Sequence, residues 1–353
     1  MATLADLSVP TLERVDDLES LRGAWSELAE RSGSFFATPE WQSLWWKHFG
    51  AERELLLTAG WGADGRLETI LPFYVWRARP LRVVRALGHG PGDELGPIGE
   101  RGVAGPALAR WLETERFELL LAEQLPGGGW QECAPGARLL SHGASPVLTF
   151  DGLTWDELMA SKSRNFREQV GRRARALERE HDVRYRLVTG PDDLEESFDT
   201  FFRLHGLRWG SRSIIARTEA FQRDFAAIAA ARGWLRLWLL EVDGAPAAAW
   251  LGFRFAGAEC YYQAGRDPAF DRRSVAFVLL AHTVRAALED GAREYRFLRG
   301  DEAYKHRFAN ADAGLETIGI AGGAAGRAAL AAAPLAKRIR RSGSRLLLPI
   351  RRA

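Results

Sequence analysis

The 353-residue sequence predicts an α+β protein made of two similar halves, and three observations carry that reading. A helical pattern occurs twice: "DDLESLRGAWSELAERSG" begins at Asp16 and "DDLEESFDTFFRLHG" at Asp192. Downstream of each stands an Asp-Gly pair, Asp64-Gly65 and Asp243-Gly244, set between apolar runs as in a tight hairpin. In the second half, antiparallel strands are followed by a loop, an apolar helix and one more strand. That order needs a single crossover, which marks α+β rather than alternating α/β. Two domains are also the expectation for this length.

Taken in chain order, residues 1–153 form the first domain and read as helix, helix, strand, Asp-Gly turn, strand. Residues 154–181 read as a linker. Thr154 and Glu157 make a capping box, and "WDELMASKSRNFREQVGRRARALERE" follows as one long basic helix, weakened at Gly171. Seven basic residues lie between Lys162 and Arg179, against Glu168 and Glu178. Such a run is either a solvated linker or a basic wall beside a cleft for an anionic ligand. Residues 182–320 form the second domain. "WLRLWLLEV", "AAAWLGFRF" and "ECYYQAG" are its first strands, and the loop "RDPAFDRR" leads to Ser274 as N-cap of "VAFVLLAHTVRAALED". Gly291 closes that helix, and "REYRFLRG" is a further strand. Residues 321–353 form a basic tail. It holds eight Lys/Arg from Arg327 onward and no acid, and Pro334 and Pro349 exclude one continuous helix. It reads as a solvated tail, or as a peripheral contact with an anionic membrane surface.

Composition narrows the function. Hydrophobic residues make up 46% and charged residues 27%, as expected of a globular protein with real cores. The two cysteines, Cys133 and Cys260, stand in no metal-ligand or disulfide spacing, so no metal is expected. The N-terminus lacks a basic segment followed by an apolar run, and no apolar stretch reaches the ~18 residues of a membrane span. A cytoplasmic protein is the expectation. "HGLRWGSR" mixes basic and aromatic residues, but no nucleic-acid-binding pattern accompanies it, so no specific nucleic-acid partner is expected.

Three segments could carry chemistry. A helix N-terminus offers free N–H groups and the positive end of its dipole, which suits phosphate. Arg272 and Arg273 precede Ser274, so these arginines and the amides of Ser274, Val275, Ala276 and Phe277 form a candidate pyrophosphate clamp; the plainer reading is a capped helix with exposed arginines. "FLRGDEAYKHRF" (297–308) ends an apolar run in a cluster of titratable groups, either a site or an ion-pair network. "LGHGPGDELG" (87–96) holds His89, Asp93 and Glu94. The segment after it, "ERGVAGPALARWLE", is broken by Gly and Pro, so no cofactor loop is read there, and the first half is expected to shape the acceptor side of a cleft.

"YYQAGRDPAFDRRSVAFVLL" (261–280) and "FLRGDEAYKHRF", with "FFATPEWQSLWWKHFG", "SRNFREQVGRRARALERE", "LHGLRW" and "DGAPAAAWLGF", resemble the GNAT acetyltransferase superfamily. The nearest resemblance is to its CelD-like and BioF2-like branch, related to the FemAB aminoacyl transferases. It spans most of the chain up to about Thr317. It implies two tandem GNAT-like domains, each a mixed, mostly antiparallel sheet flanked by helices, with acetyl-CoA or another acyl-CoA bound by the second. A loop of type Arg/Gln-x-x-Gly-x-Gly/Ala holds the pyrophosphate in that family, which usually has glycine where Ala276 stands. The resemblance further implies acyl transfer to an amine or hydroxyl, with a sugar or polysaccharide precursor among the acceptors. Asp301 would then be the base, Tyr304 the acid, and Lys305 the group that binds an anionic acceptor or developing charge. His205 is a second candidate base, or else a satisfied helix-face histidine. The rivals are a FemAB-like aminoacyl transferase using aminoacyl-tRNA and a non-catalytic scaffold in a polysaccharide-synthesis complex.

Overall fold

The structure, a computed structural model, describes residues 9–78, 81–210 and 213–332. The first half opens with β1 (Thr11–Val15), α1 (Arg22–Ser32) and α2 (Pro39–Phe49). Thr38 caps α2 by accepting from the Trp41 amide, and Pro39 takes the first helical position, where its missing N–H costs nothing. β2 (Glu54–Trp61), β3 (Leu67–Ala78), β4 (Leu81–Ala86), α3 (Arg101–Thr114), β5 (Leu119–Pro126), α4 (Trp130–Cys133), β6 (Arg138–Gly143) and β7 (Pro146–Thr149) follow.

The basic linker is not one helix. It comprises α5 (Trp155–Ser161) and α6 (Arg164–Glu180), interrupted at Lys162, and the capping box at Thr154 is present. Ser163 caps α6, and the Arg167 side chain turns back to the carbonyls of Ala160 and Lys162, supplying donors to the end of α5. The second half then runs β8 (Val183–Val188), α7 (Leu194–Trp209), α8 (Ile214–Arg217), α9 (Glu219–Ala231), β9 (Leu235–Val242), β10 (Ala245–Phe255), β11 (Ala258–Arg266), α10 (Val275–Glu289), β12 (Glu294–Arg296), α11 (Ala303–Phe308), β13 (Ala311–Asp312) and β14 (Leu315–Ala321). Asp243 and Gly244, at φ 52° and 79°, make the expected two-residue turn. The first-half turn is wider, closed by the Gly62 amide on the Arg66 carbonyl.

Two seven-stranded sheets form, ordered β1-β2-β3-β4-β5-β14-β6 and β13-β7-β12-β11-β10-β9-β8. Each half therefore gives one strand to the other sheet. β7 lies between β12 and β13, and β14 lies between β5 and β6. The sequence ranges 1–153 and 182–320 thus each supply a strand to the sheet built mainly by the other.

α1, α2, α7 and α9 fill the space between the sheets. Their core runs unbroken from Leu57 and Ile70 of the first sheet to Leu237 and Leu251 of the second. Its centre is aromatic: the Phe35 and Phe253 ring centroids lie 4.6 Å apart, and those of Trp41 and Phe225 4.7 Å apart. Burying each such side chain contributes roughly 1.5–3 kcal/mol, so these rings bind the halves together. α3 covers the outer face of the first sheet and α10 that of the second.

α3 overturns the expectation of a broken helix. Pro106 is inside it, but Ala104, Ala107, Leu108 and Trp111 are buried on one face, and that packing outweighs the lost hydrogen bond. The start of the basic tail is also not free. Leu330 is buried against Val83 and Leu119. From residue 333 the tail, and with it most of the proposed membrane contact, lies outside the described residues. No helix among the described residues is long and apolar enough to cross a membrane.

The strand exchange predicts that residues 154–332 will not fold alone. That fragment lacks β7, so β12 and β13 lose the strand between them. It should show no cooperative thermal unfolding by circular dichroism, where the full chain melts cooperatively. A sharp melt of the fragment would contradict the shared sheet.

Candidate functional site: a gap between two parallel strands

β11 and β12 pair in parallel over three residue pairs, Ala258–Glu294 to Cys260–Arg296, and then separate. Beyond Arg296 the chain bonds to the other side instead: Phe297 N–H donates to the Pro146 carbonyl (2.9 Å) and Gly300 N–H to the Ala144 carbonyl (3.1 Å). Leu298 at φ 53° and Gly300 at φ 138° turn the segment away from β11. Separated strands leave buried carbonyls without partners, at a cost of roughly 1–3 kcal/mol each. Two side chains meet that demand. His205 Nδ1 reaches the Ala264 carbonyl on the β11 side (3.2 Å), and Lys305 Nζ donates to the Arg299 carbonyl on the other (2.8 Å).

At the head of the gap is a small polar pocket of about 90 Å³. Asp93, carried by the loop between β4 and α3, is buried there, with Arg299 Nε 3.4 Å from its carboxylate. The Gln124 side-chain oxygen, in the orientation that satisfies its neighbours, also receives Arg299. Burial pushes the Asp93 pKa up to about 6, although Arg299 and Lys305 pull the other way. Lys305 is also buried, 3.0 Å from Glu302, and desolvation lowers its pKa. Tyr304 and Tyr261 face each other with hydroxyls 3.4 Å apart, and desolvation raises both phenol pKa values.

Past Tyr261, Tyr304 and Arg208 the pocket continues into an outer cleft of about 480 Å³. Its floor is the N-terminus of α10. Ser274 adopts the left-handed conformation, φ 56° and ψ 37°, which L-residues other than Gly, Asn and Asp seldom take. Its carbonyl accepts from the amides of Phe277 and Val278. The amides of Val275 and Ala276 have no protein partner among the described residues. Arg173 of α6, Arg208 of α7 and Arg307 of α11 line the cleft. Arg173 sits 4.9 Å above the Phe277 ring, and Arg307 4.5 Å above Phe166. The cleft is thus adapted to an anion, and α6 contributes to its wall through Gln169 and Arg173.

The residues singled out from the sequence divide. Tyr304, Lys305, Ser274, Ala276 and Phe277 line the gap or the cleft, whereas Val275 is fully buried and does not line it. Four others lie elsewhere. Asp301 is exposed and pairs with His306 Nε2 at 2.7 Å, because the turn after Gly300 points it to solvent. Arg272 is exposed, and Arg273 pairs with Glu180 of α6, away from the cleft. His205 is buried with both nitrogens used. A carbonyl only accepts, so Nδ1 carries the proton, and Nε2 accepts from the Ser213 hydroxyl (2.7 Å). Ser274 occupies the N-cap position without a side-chain capping bond. Asp93, Arg299, Arg173 and Arg307 were not singled out as site residues. Asp93 comes from the other half of the chain, and no spacing links it to Lys305.

Residues 164–306 match a family profile described as "Acetyltransferase (GNAT) domain". This segment is a GNAT-type domain. The matched segment contains α6, the gap, α10 and Lys305, so the GNAT domain holds most of the site. Both halves share the fold with solved structures of low identity. The crystal structure of FemX aligns at TM-score 0.60 with 12% identity, covering 88% of this chain and 97% of that one. L-PGS from Bacillus licheniformis aligns at 0.57 with 11% identity, covering 91% and 97%. A tandem GNAT protein from the clavulanic acid biosynthesis pathway aligns at 0.50 with 16% identity, covering 89% and 99%. No curated protein sequence matches the chain. The architecture is that of tandem GNAT-like domains, and the chain is an acyltransferase.

The buried carboxylate beside the GNAT domain makes stability depend on pH with a definite sign. With its pKa raised from 3.8 to about 6, the folded chain holds the Asp93 proton longer than the unfolded chain. That contribution is full below about pH 4 and is lost as pH rises through about 6. Asp93→Asn keeps a neutral side chain throughout. Urea unfolding from pH 4 to pH 8 should therefore shift in the variant's favour by up to about 3 kcal/mol. A pH-independent difference would show that Asp93 is not held in this environment.

Proposed function

We propose that the protein transfers an acyl group from acyl-CoA, acetyl-CoA in the simplest case, to an amine or hydroxyl on a small polar acceptor. A sugar or polysaccharide precursor is one such acceptor. One observation carries the reading: an arginine-lined cleft at a helix N-terminus opens directly into a pocket that holds a buried carboxylate and a buried lysine. The outer cleft fits a diphosphate, since Ala276, whose amide has no protein partner among the described residues, lines it at the positive end of α10, with Arg173 and Arg307 alongside. When bound, acyl-CoA supplies the activated thioester.

The chain's own residues account for the proton movements. Asp93, with a pKa of about 6, is ionised at neutral pH and accepts the proton of the attacking amine or hydroxyl. Lys305, fixed by the Arg299 carbonyl and Glu302, holds a cation where negative charge develops on the carbonyl oxygen. Tyr304, whose raised pKa keeps it protonated, is the donor for the departing thiolate. Arg299 orients Asp93 and, with Lys305, favours an acceptor that carries an anionic group.

A second reading has one observation in its favour. Arg164, Arg167, Arg172, Arg175 and Arg179 of α6 are exposed, a surface that suits the backbone of aminoacyl-tRNA. Thermal shift separates the two donors, because only a ligand of the folded state raises its stability. Acetyl-CoA should raise the melting temperature, and loss of that shift in Arg173→Ala with Arg307→Ala would locate the binding.

Steady-state kinetics then test the roles. Arg173→Ala with Arg307→Ala should raise KM for acyl-CoA with little change in kcat, and Arg272→Ala should change neither. Asp93→Asn should lower kcat by about 10²–10⁴ and remove the limb of the pH–rate profile that rises near pH 6. Asp301→Asn should stay near the parent. Full activity in Asp93→Asn, or its loss in Asp301→Asn, would overturn this assignment.

A further inference from the structure

A second cavity, of about 330 Å³, lies between the sheets on the far side of the loop that carries Asp93. Consecutive residues of that loop face opposite ways: Asp93 enters the reaction pocket and Glu94 enters this cavity. The two cavities have no lining residue in common. In the first sheet, the cavity occupies the place that the outer cleft holds in the second. It lies at the N-terminus of α3 and at the end of β5, as the cleft lies at α10 beyond β12. The chemistry differs, however. Two carboxylates, Glu94 and Glu294, and two guanidinium groups, Arg101 and Arg296, line it, so its charges balance. It is not a repeat of the arginine-lined cleft.

Two buried polar side chains in its wall lack partners. Gln42 is 3% exposed; its amide nitrogen donates to the Phe36 carbonyl (2.7 Å), but Oε1 has no hydrogen-bond partner among the described residues. Ser145 is 2% exposed, its amide is taken by Asp312, and its hydroxyl has no protein partner among the described residues. An orphaned buried acceptor of this kind costs roughly 1–3 kcal/mol, and it asks for a donor in the space it faces. Among the described residues Glu94 accepts a hydrogen bond from the Ser34 hydroxyl alone (2.5 Å), which leaves other lone pairs available, although Arg296 is near enough to feel its charge. Arg101, at the first position of α3, forms no ion pair among the described residues, although Arg296 is engaged by Glu294 and the Gly33 carbonyl. One pole of the cavity therefore accepts hydrogen bonds. The other presents the Arg101 guanidinium at a helix N-terminus, in no ion pair among the described residues. Phe36, Trp130 and Val147 supply apolar wall around them.

We infer that this cavity is a second ligand site, separate from the reaction pocket, for a small zwitterion. Its ammonium is received by Gln42 Oε1 and Glu94, and its carboxylate or phosphate by Arg101 and the first turn of α3.

Isothermal titration calorimetry on the full chain tests this with glycine, γ-aminobutyrate and O-phosphoethanolamine, which differ in the separation of ammonium and anion. At least one should bind at millimolar concentration. Arg101→Met, at an exposed position, should weaken that binding at least about tenfold, as should Gln42→Leu where that variant folds. Lys305→Met should leave it unchanged, because Lys305 faces the other pocket. Absence of binding by all three probes overturns the inference. So does binding that survives Arg101→Met, and so does binding lost in Lys305→Met, which would place the zwitterion in the reaction pocket.

Discussion

The site depends on how soon β11 and β12 part. Three residue pairs hold the strands in register, and everything beyond them follows from backbone groups that must find other partners. The β12 side turns toward the strand borrowed from the first half. His205 serves the β11 side. Lys305 serves the other, and in doing so is fixed in a desolvated place with its ammonium facing the gap. A titratable cluster straight after a buried strand is thus a consequence of opening the sheet. The same side chain that completes the backbone hydrogen bonding supplies the charge at the centre of the pocket. Gly300 belongs to this arrangement, because Lys305 and Glu302 close over it and a Cβ would meet both.

Opening one sheet exposes polar edges, and the other half of the molecule covers them. The strand exchange places β7 beside β12, and the aromatic core around Phe35 and Trp41 holds the first half against α9 and β10. With that contact fixed, the loop between β4 and α3 reaches across and delivers Asp93 beside Arg299. The first half is then neither a spare copy nor a spacer, since it completes a sheet and contributes a carboxylate. Burial of that carboxylate gives it a pKa near the range where a general base is useful.

Local patterns were legible in the sequence, and long-range meetings were not. The duplication, the Asp-Gly turn at Asp243, the buried helix α10 and the cluster at 297–308 all follow from periodicity and turn chemistry confined to short windows. Within that cluster, residue type did not separate Lys305, which points inward, from Asp301, which points out; the turn set by Leu298 and Gly300 decides between them. Arg272 and Arg273 drew notice by standing next to a helix start. Arg173, Arg208 and Arg307, which reach the cleft, sit on α6, α7 and α11 and are brought there by tertiary packing. α3 escaped notice because Pro106 argues against a helix interior, and only the buried face around Leu108 and Trp111 overrides it. The exchanged strands left no local signal either, since β7 and β14 look like ordinary short strands wherever they pair.

The central claim is that the acyl donor lies along the cleft at α10, with its acyl end in the gap between β11 and β12. A crystal structure of the full chain with a non-hydrolysable acyl-CoA thioether tests it most directly. The account predicts the diphosphate against the amide of Ala276 with Arg173 and Arg307, and the acyl carbonyl between Tyr261 and Lys305, facing Asp93. A thioether bound at α3 of the first half, or with its acyl end away from Lys305 and Asp93, would contradict it.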